Sequence, residues 1–149
     1  IDCAPRRALQ PSGPPPRRSP RPPGNGVSAV HTACIVITLI TATITAAIAV
    51  ADFIPARCVL ANSAEVGVPR SWLPALGAVK LAGAVGLAAG LLGTPALGIA
   101  AATGLVLFFL GAVVTHLRAR VLYNIAFPGA YLCLSAATLA LLVRPATWL

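Results

Sequence analysis

Long apolar segments constrain the fold of this chain more than any other feature of its sequence. Residues 27–51 carry no charged side chain. At about 1.5 Å rise per residue, a helix of this length crosses the roughly 30 Å hydrocarbon core of a bilayer with some tilt. Further apolar segments follow at residues 72–92, 95–117 and 123–143. We therefore predict an all-α fold, an integral membrane antiparallel four-helix bundle with these segments as its spans.

The composition excludes a soluble globular domain. Charged residues make up 9% of the chain and hydrophobic residues 58%, whereas about 25% of the residues in a soluble domain are charged. The acidic residues are only Asp2, Asp52 and Glu65, which are too few to cover the outside of a soluble bundle. The lipid bilayer is therefore the expected partner of the apolar helix faces.

The positions of the basic residues argue against nucleic-acid binding, although the formal net charge is +8. Five arginines lie in the proline-rich residues 1–26, and the other basic residues flank the apolar segments, which fits anionic lipid better than nucleic acid. Residues 1–26 lack aromatic side chains and are expected to form a disordered tail. Basic residues near the membrane are about equally numerous on both sides, and the arginines of the tail favour cytoplasmic termini.

The connections between the spans are predicted from their turn residues. Residues 52–71 form a substantial loop with a short interfacial helix at about 55–64. Gly93, Thr94 and Pro95 combine a helix-ending glycine, an N-cap and a first-turn proline, so the second and third spans form a tight hairpin. Pro128 lies early in the fourth span and is expected to kink it.

Glycines of the second span recur on one helix face. Their spacing of i, i+3, i+7 and i+10 lets two backbones approach closely, and small residues are typical of helix contacts in membranes. We expect this face to pack against another helix of the bundle, while a seam between two copies of the chain stays open as an alternative. The glycines are Gly83, Gly86, Gly90 and Gly93.

Chain direction gathers most polar residues on one side of the membrane, because odd spans end where even spans start. Lys80 lies about two turns inside the second span, where a charge costs about 2.5 to 3.5 kcal/mol on insertion scales. We expect an ion pair with Asp52 or Glu65, bordered by His116 and Arg118. The alternative is that Lys80 only extends to the membrane surface while the arginines contact lipid phosphates. The same side also receives Arg57, Arg70, Arg120, Tyr123 and Asn124.

The sequence carries no recognisable catalytic or metal-binding pattern. Its cysteines form no C-x-x-C pair and no metal-ligand spacing with His31 and His116. Nucleophile and base pairs, phosphate loops and dinucleotide fingerprints are also missing from the sequence. We therefore expect no metal, no evident cofactor and no catalytic activity of the chain alone. Ionisable groups inside membrane bundles mark ligand or proton sites, so a ligand site such as a quinone site is the functional alternative.

An ordered series of motifs between residue 27 and the C-terminus resembles the bacterial DoxX-like family of four-helix membrane proteins. The motifs are Ala51-Asp52-Phe53, Leu60-Ala61-Asn62, EVGVP at 65–69, WLPALG at 72–77, KLAGA at 80–84 and GAVVTHLR at 111–118. The resemblance implies an accessory or membrane-anchoring subunit of a bacterial redox complex in the plasma membrane, because some members are membrane subunits of thiosulfate:quinone oxidoreductase or partners in thiol-stress complexes.

The partners that this resemblance implies are oxidoreductase subunits or further copies of the chain. The alternative is a quinone or small-solute binding protein with a polar site around Lys80 and His116. The family pattern adds Asn62 to the residues found from chain direction. The complete candidate set is Asp52, Arg57, Asn62, Glu65, Lys80, His116 and Arg118.

Overall fold

The structure is a computed structural model that describes residues 25–54 and 56–144, and all regular elements within these ranges are helices. They are α1 (Asn25–Phe53), α2 (Arg57–Glu65), a single 3₁₀ turn (Arg70–Trp72), α3 (Leu73–Leu91), α4 (Pro95–Arg118) and α5 (Ala126–Leu142). The predicted all-α membrane bundle is confirmed. Of the predicted disordered tail, residues 1–24 lie outside the described residues, and residues 25 and 26 belong to α1.

The four long helices of the described chain form an antiparallel ring. α1 packs on α3, α3 on α4 and α4 on α5, and α5 returns to α1. α1, α3 and α4 are each long and apolar enough to cross a membrane, and α5 is an apolar helix of 17 residues. At one end of the bundle α1 and α4 end, α3 and α5 begin, and α2 lies beside them. We call this the loop end.

α5 begins later than the sequence predicted. Arg120 has a φ of +58°, and the amide of Val121 donates to the carbonyl of His116, which closes the end of α4. α5 then begins at Ala126, so Pro128 lies in its first turn, where backbone donors have no helical partner. Pro128 is therefore accommodated in the first turn of α5, where it does not interrupt the helix.

Glycines allow the backbones of α3 and α4 to come into direct contact. A Cβ atom on Gly90 would lie 2.6 Å from the Cα of Gly98, and one on Gly86 would lie 2.6 Å from the Cβ of Ala101. A Cβ on Gly83 would meet the flexible side chain of Leu105 instead. The absence of side chains at Gly86 and Gly90 therefore sets the spacing of the two helices.

Gly93 takes no part in this contact, contrary to the prediction. It lies in the exposed turn between α3 and α4, where no described residue comes within 4 Å of the position of a Cβ. Its φ of +111° is a conformation that residues with side chains rarely adopt. Gly93 therefore allows the chain to turn between α3 and α4. In the same turn the Thr94 hydroxyl donates to the carbonyl of Ala89 at 2.6 Å.

Hydroxyl groups lie on the buried faces of α1 and α5. The Oγ1 atoms of Thr41 and Thr138 lie 2.7 Å apart, and each is also within hydrogen-bond distance of a carbonyl one turn back in its own helix. Thr45 and Ser135 are fully buried and have no hydrogen-bond partner among the described residues. An unpaired buried hydroxyl costs about 1–3 kcal/mol, so these positions weaken the bundle.

Thr45→Val is expected to raise the free energy of unfolding in detergent by about 1 kcal/mol, because valine keeps the shape of threonine and removes the unpaired hydroxyl. The control is Thr103→Val, since the exposed Thr103 hydroxyl donates to the carbonyl of Ile99 at 2.8 Å. Denaturation followed by circular dichroism measures both variants. A loss of stability in Thr45→Val would contradict the prediction and show that this hydroxyl has a partner.

Candidate functional site

An ion pair joins α1 to α3 at the loop end. The Nζ of Lys80 lies 2.7 Å from the Oδ2 of Asp52, and their side chains are 12% and 3% exposed. Gly77 makes this approach possible, because a Cβ there would lie 3.1 Å from both the carbonyl oxygen of Ala49 and the Cβ of Asp52. The sequence left Asp52 and Glu65 open as partners of Lys80, and the structure pairs Lys80 with Asp52.

An aromatic ring of α4 completes the surroundings of Lys80. Its Nζ lies 5.4 Å from the ring centroid of Phe108, within the range of a cation–π interaction. The carboxylate and the ring together offset the cost of an amine inside a membrane helix. The hydrogen bond to Asp52 uses one of the three N–H groups of the ammonium, which leaves donors for a further acceptor.

His116 at the end of α4 connects to α2 and to the start of α5. Its buried ring places Nδ1 2.9 Å from the carbonyl oxygen of Ala112 and Nε2 3.3 Å from the Oδ1 of Asn62. The Nδ2 of Asn124 donates to the same Asn62 oxygen. α2 has no buried residue of its own, so these side-chain contacts help to hold it against the bundle.

His116, Asn62 and Asn124 form one connected polar group. Both ring nitrogens of His116 face oxygen atoms. The tautomer of the ring and the orientation of the two amides depend on each other, because an amide that turns over presents its NH₂ donor where its oxygen acceptor was.

Glu65 is bound to Tyr123 and not to Lys80, which the sequence analysis had considered as its partner. Its carboxylate accepts a hydrogen bond from the hydroxyl of Tyr123, and both side chains are exposed. This hydrogen bond raises the pKa of the Tyr123 phenol above its usual value. Desolvation of the phenol and the negative charge of Glu65 raise it further by smaller amounts. The contact ties the end of α2 to the link between α4 and α5.

A cavity of about 610 Å³ lies between these groups at the loop end. Most of its wall is apolar or aromatic, with polar side chains from five parts of the chain converging on it. The aromatic residues are Trp72, Phe108, Phe109, Phe127 and Tyr131. The polar residues include Asp52, Asn62, Lys80, His116 and Asn124.

The structure brings together four of the seven candidate site residues, Asp52, Asn62, Lys80 and His116, around this cavity. The other three, Arg57, Glu65 and Arg118, are exposed and lie outside the described lining of the cavity. For Arg118 the reason is helical rotation. Two residues turn a helix by about 200°, so a buried His116 points Arg118 outward.

Sequence reasoning missed the aromatic wall of the cavity. Phe108 and Ala112 precede His116 by eight and four residues in α4 and line the same cavity. Side chains at this spacing share one face of a helix, so counting back from His116 would have found Phe108. The contribution of Tyr131 had no comparable signal, because it depends on where α5 begins.

The fold and the cavity define a small helical membrane protein with a mainly apolar ligand-sized cavity that has a polar wall. The sequence matches the model of the DoxX-like family over residues 36–138. The chain therefore belongs to the DoxX-like family, and the resemblance seen in its motifs is confirmed. No curated protein and no solved structure matches the chain.

Proposed function

We propose that the protein binds a small, largely apolar molecule of the quinone class in the cavity at the loop end. The cavity carries this proposal: about 610 Å³ is within the usual range of ligand sites, and a mainly apolar wall with a few converging polar groups is typical of them. Aromatic side chains suit a flat conjugated ring, against which they stack.

The polar wall suits an oxygen acceptor on such a ring. Lys80 keeps N–H donors beyond the one used by Asp52, and a quinone carbonyl accepts hydrogen bonds but donates none. His116, Asn62 and Asn124 add further hydrogen-bonding groups to the same wall. The described geometry thus supports hydrogen bonding to a quinone oxygen beside an aromatic surface.

The role of an accessory or membrane-anchoring subunit of a redox complex rests on the family resemblance. It is compatible with the proposed ligand, because a quinone bound here would need an electron donor from another protein. Purification in mild detergent followed by identification of co-purifying proteins tests it. A stably associated oxidoreductase subunit is the expected result, and a chain that co-purifies only with itself would contradict this role.

Trp72 provides a built-in reporter for ligand binding. It lines the cavity, and Trp148 is the other tryptophan of the chain. In a Trp148→Phe background, a short-chain benzoquinone is expected to quench Trp72 fluorescence along a saturable curve. Adding Asp52→Asn, Lys80→Met and His116→Gln removes the charged pair and the imidazole from the polar wall without leaving a lone buried charge, and is expected to raise Kd at least tenfold, or about 1.4 kcal/mol.

The matched control for this titration is Arg57→Gln, because Arg57 lies at the same end but outside the cavity lining. It should leave Kd unchanged, and circular dichroism should show the same helix content in all variants. Quenching that rises linearly without saturation, or a Kd equal in all variants, would mean that the quinone only partitions into the micelle. Either result would overturn the proposed function.

A further inference from the structure

Exposed arginines surround the mouth of the bundle at the loop end. Arg57 begins α2, Arg70 begins the 3₁₀ turn, Arg118 ends α4 and Arg120 lies in the turn that follows. All four side chains are exposed. We call these four residues the arginine rim. They differ from the cavity residues, because none of them belongs to the described lining of the cavity.

The charge of the arginine rim is not neutralised within the described chain. Asp52 is buried and bound to Lys80, and the carboxylate of Glu65 accepts the hydrogen bond of Tyr123. The described residues form one salt bridge, between Lys80 and Asp52. None of the arginines of the rim takes part in it. Among the described residues, four cations therefore face outward and Glu65 is the one exposed carboxylate.

Arg120 occupies a backbone position that favours glycine. Its φ of +58° lies in the left-handed region, and it follows the C-terminal end of α4, where glycine is the usual residue. A residue with a side chain is strained in this conformation. A positive charge at this position would explain why arginine stands here, because glycine would relieve the strain but carries no charge.

Aromatic side chains place the arginine rim at the level of the lipid headgroups. Trp72 is 61% exposed and Tyr123 is 76% exposed, both at the loop end. Tryptophan and tyrosine in such positions are typical of the boundary between hydrocarbon and headgroups. We propose that the arginine rim binds the phosphate groups of anionic phospholipids and anchors the loop end to that leaflet.

Lipid titration of the purified full chain tests this proposal. In a neutral detergent, phosphatidylglycerol is expected to raise Tm by about 5 °C more than phosphatidylcholine with the same acyl chains. The difference should shrink in 0.5 M NaCl, because salt screens exposed charges. Equal shifts from the two lipids would overturn the proposal, as would a full shift from inorganic phosphate alone.

Variants of the arginine rim separate lipid binding from fold stability. Replacing Arg57, Arg70, Arg118 and Arg120 by glutamine should abolish the extra shift, while Arg144→Gln at the opposite end should keep it. Arg120→Gly should raise Tm in detergent by about 3 °C through relief of strain and yet reduce the extra shift. An undiminished phosphatidylglycerol shift in the fourfold variant would overturn the proposal.

Discussion

Asp52→Asn is expected to lower the free energy of unfolding by up to about 3 kcal/mol, because it leaves the largely buried Lys80 ammonium without its charged partner. Asp52 is 3% exposed and its Oδ2 lies 2.7 Å from the Nζ of Lys80. The nearby ring of Phe108 compensates only part of the charge, since a cation–π contact contributes about 0.5–2 kcal/mol. Reversible denaturation by SDS in mixed micelles, followed by circular dichroism, measures the loss.

The double variant Asp52→Asn with Lys80→Met distinguishes the cost of an unpaired charge from the cost of an altered helix contact. It removes the amine as well, so most of the lost stability should return, as replacement of a buried pair by neutral groups is often tolerated. Glu65→Gln is the control carboxylate, because Glu65 is exposed at the same end. Losses of equal size in the single and double variants would contradict the ion-pair argument.

The choice between Asp52 and Glu65 illustrates what the sequence could and could not decide. Both carboxylates lie in or next to the long loop, so chain direction places both near Lys80. The pairing is decided by packing at Gly77, where the missing side chain brings the last turn of α1 against α3. A helix crossing of this kind depends on three-dimensional contacts that one sequence does not display.

Features fixed by local chemistry were predictable, and features fixed by tertiary placement were not. Long apolar segments and the turn at Gly93 depend on residues close together in the chain. The structure has the long helices α1, α3 and α4 at these segments and a glycine with positive φ at the turn. The contacts of Asn62 and Asn124 depend on how α2 lies across the bundle end. The later start of α5 depends on the backbone of Arg120, whose positive φ no composition rule indicates.

Gly90→Ala is expected to lower the free energy of unfolding by about 1–3 kcal/mol, because the added methyl group meets backbone instead of a movable side chain. Its Cβ would lie 2.6 Å from the Cα of Gly98, and the reciprocal distance from Gly98 is 2.9 Å. α3 and α4 would have to separate, and helices in a bilayer depend on such close packing for their association. SDS denaturation measures this loss as well.

Gly104→Ala in α4 is the matched control, because no atom of the described residues lies within 4 Å of the position of its Cβ. The substitution is chemically identical, and alanine is favoured over glycine by up to about 1 kcal/mol in a helix interior. The two variants should therefore change stability in opposite directions. If both were stabilising, helix propensity would outweigh backbone contact, and the spacing of α3 and α4 would have to depend on other residues than these glycines.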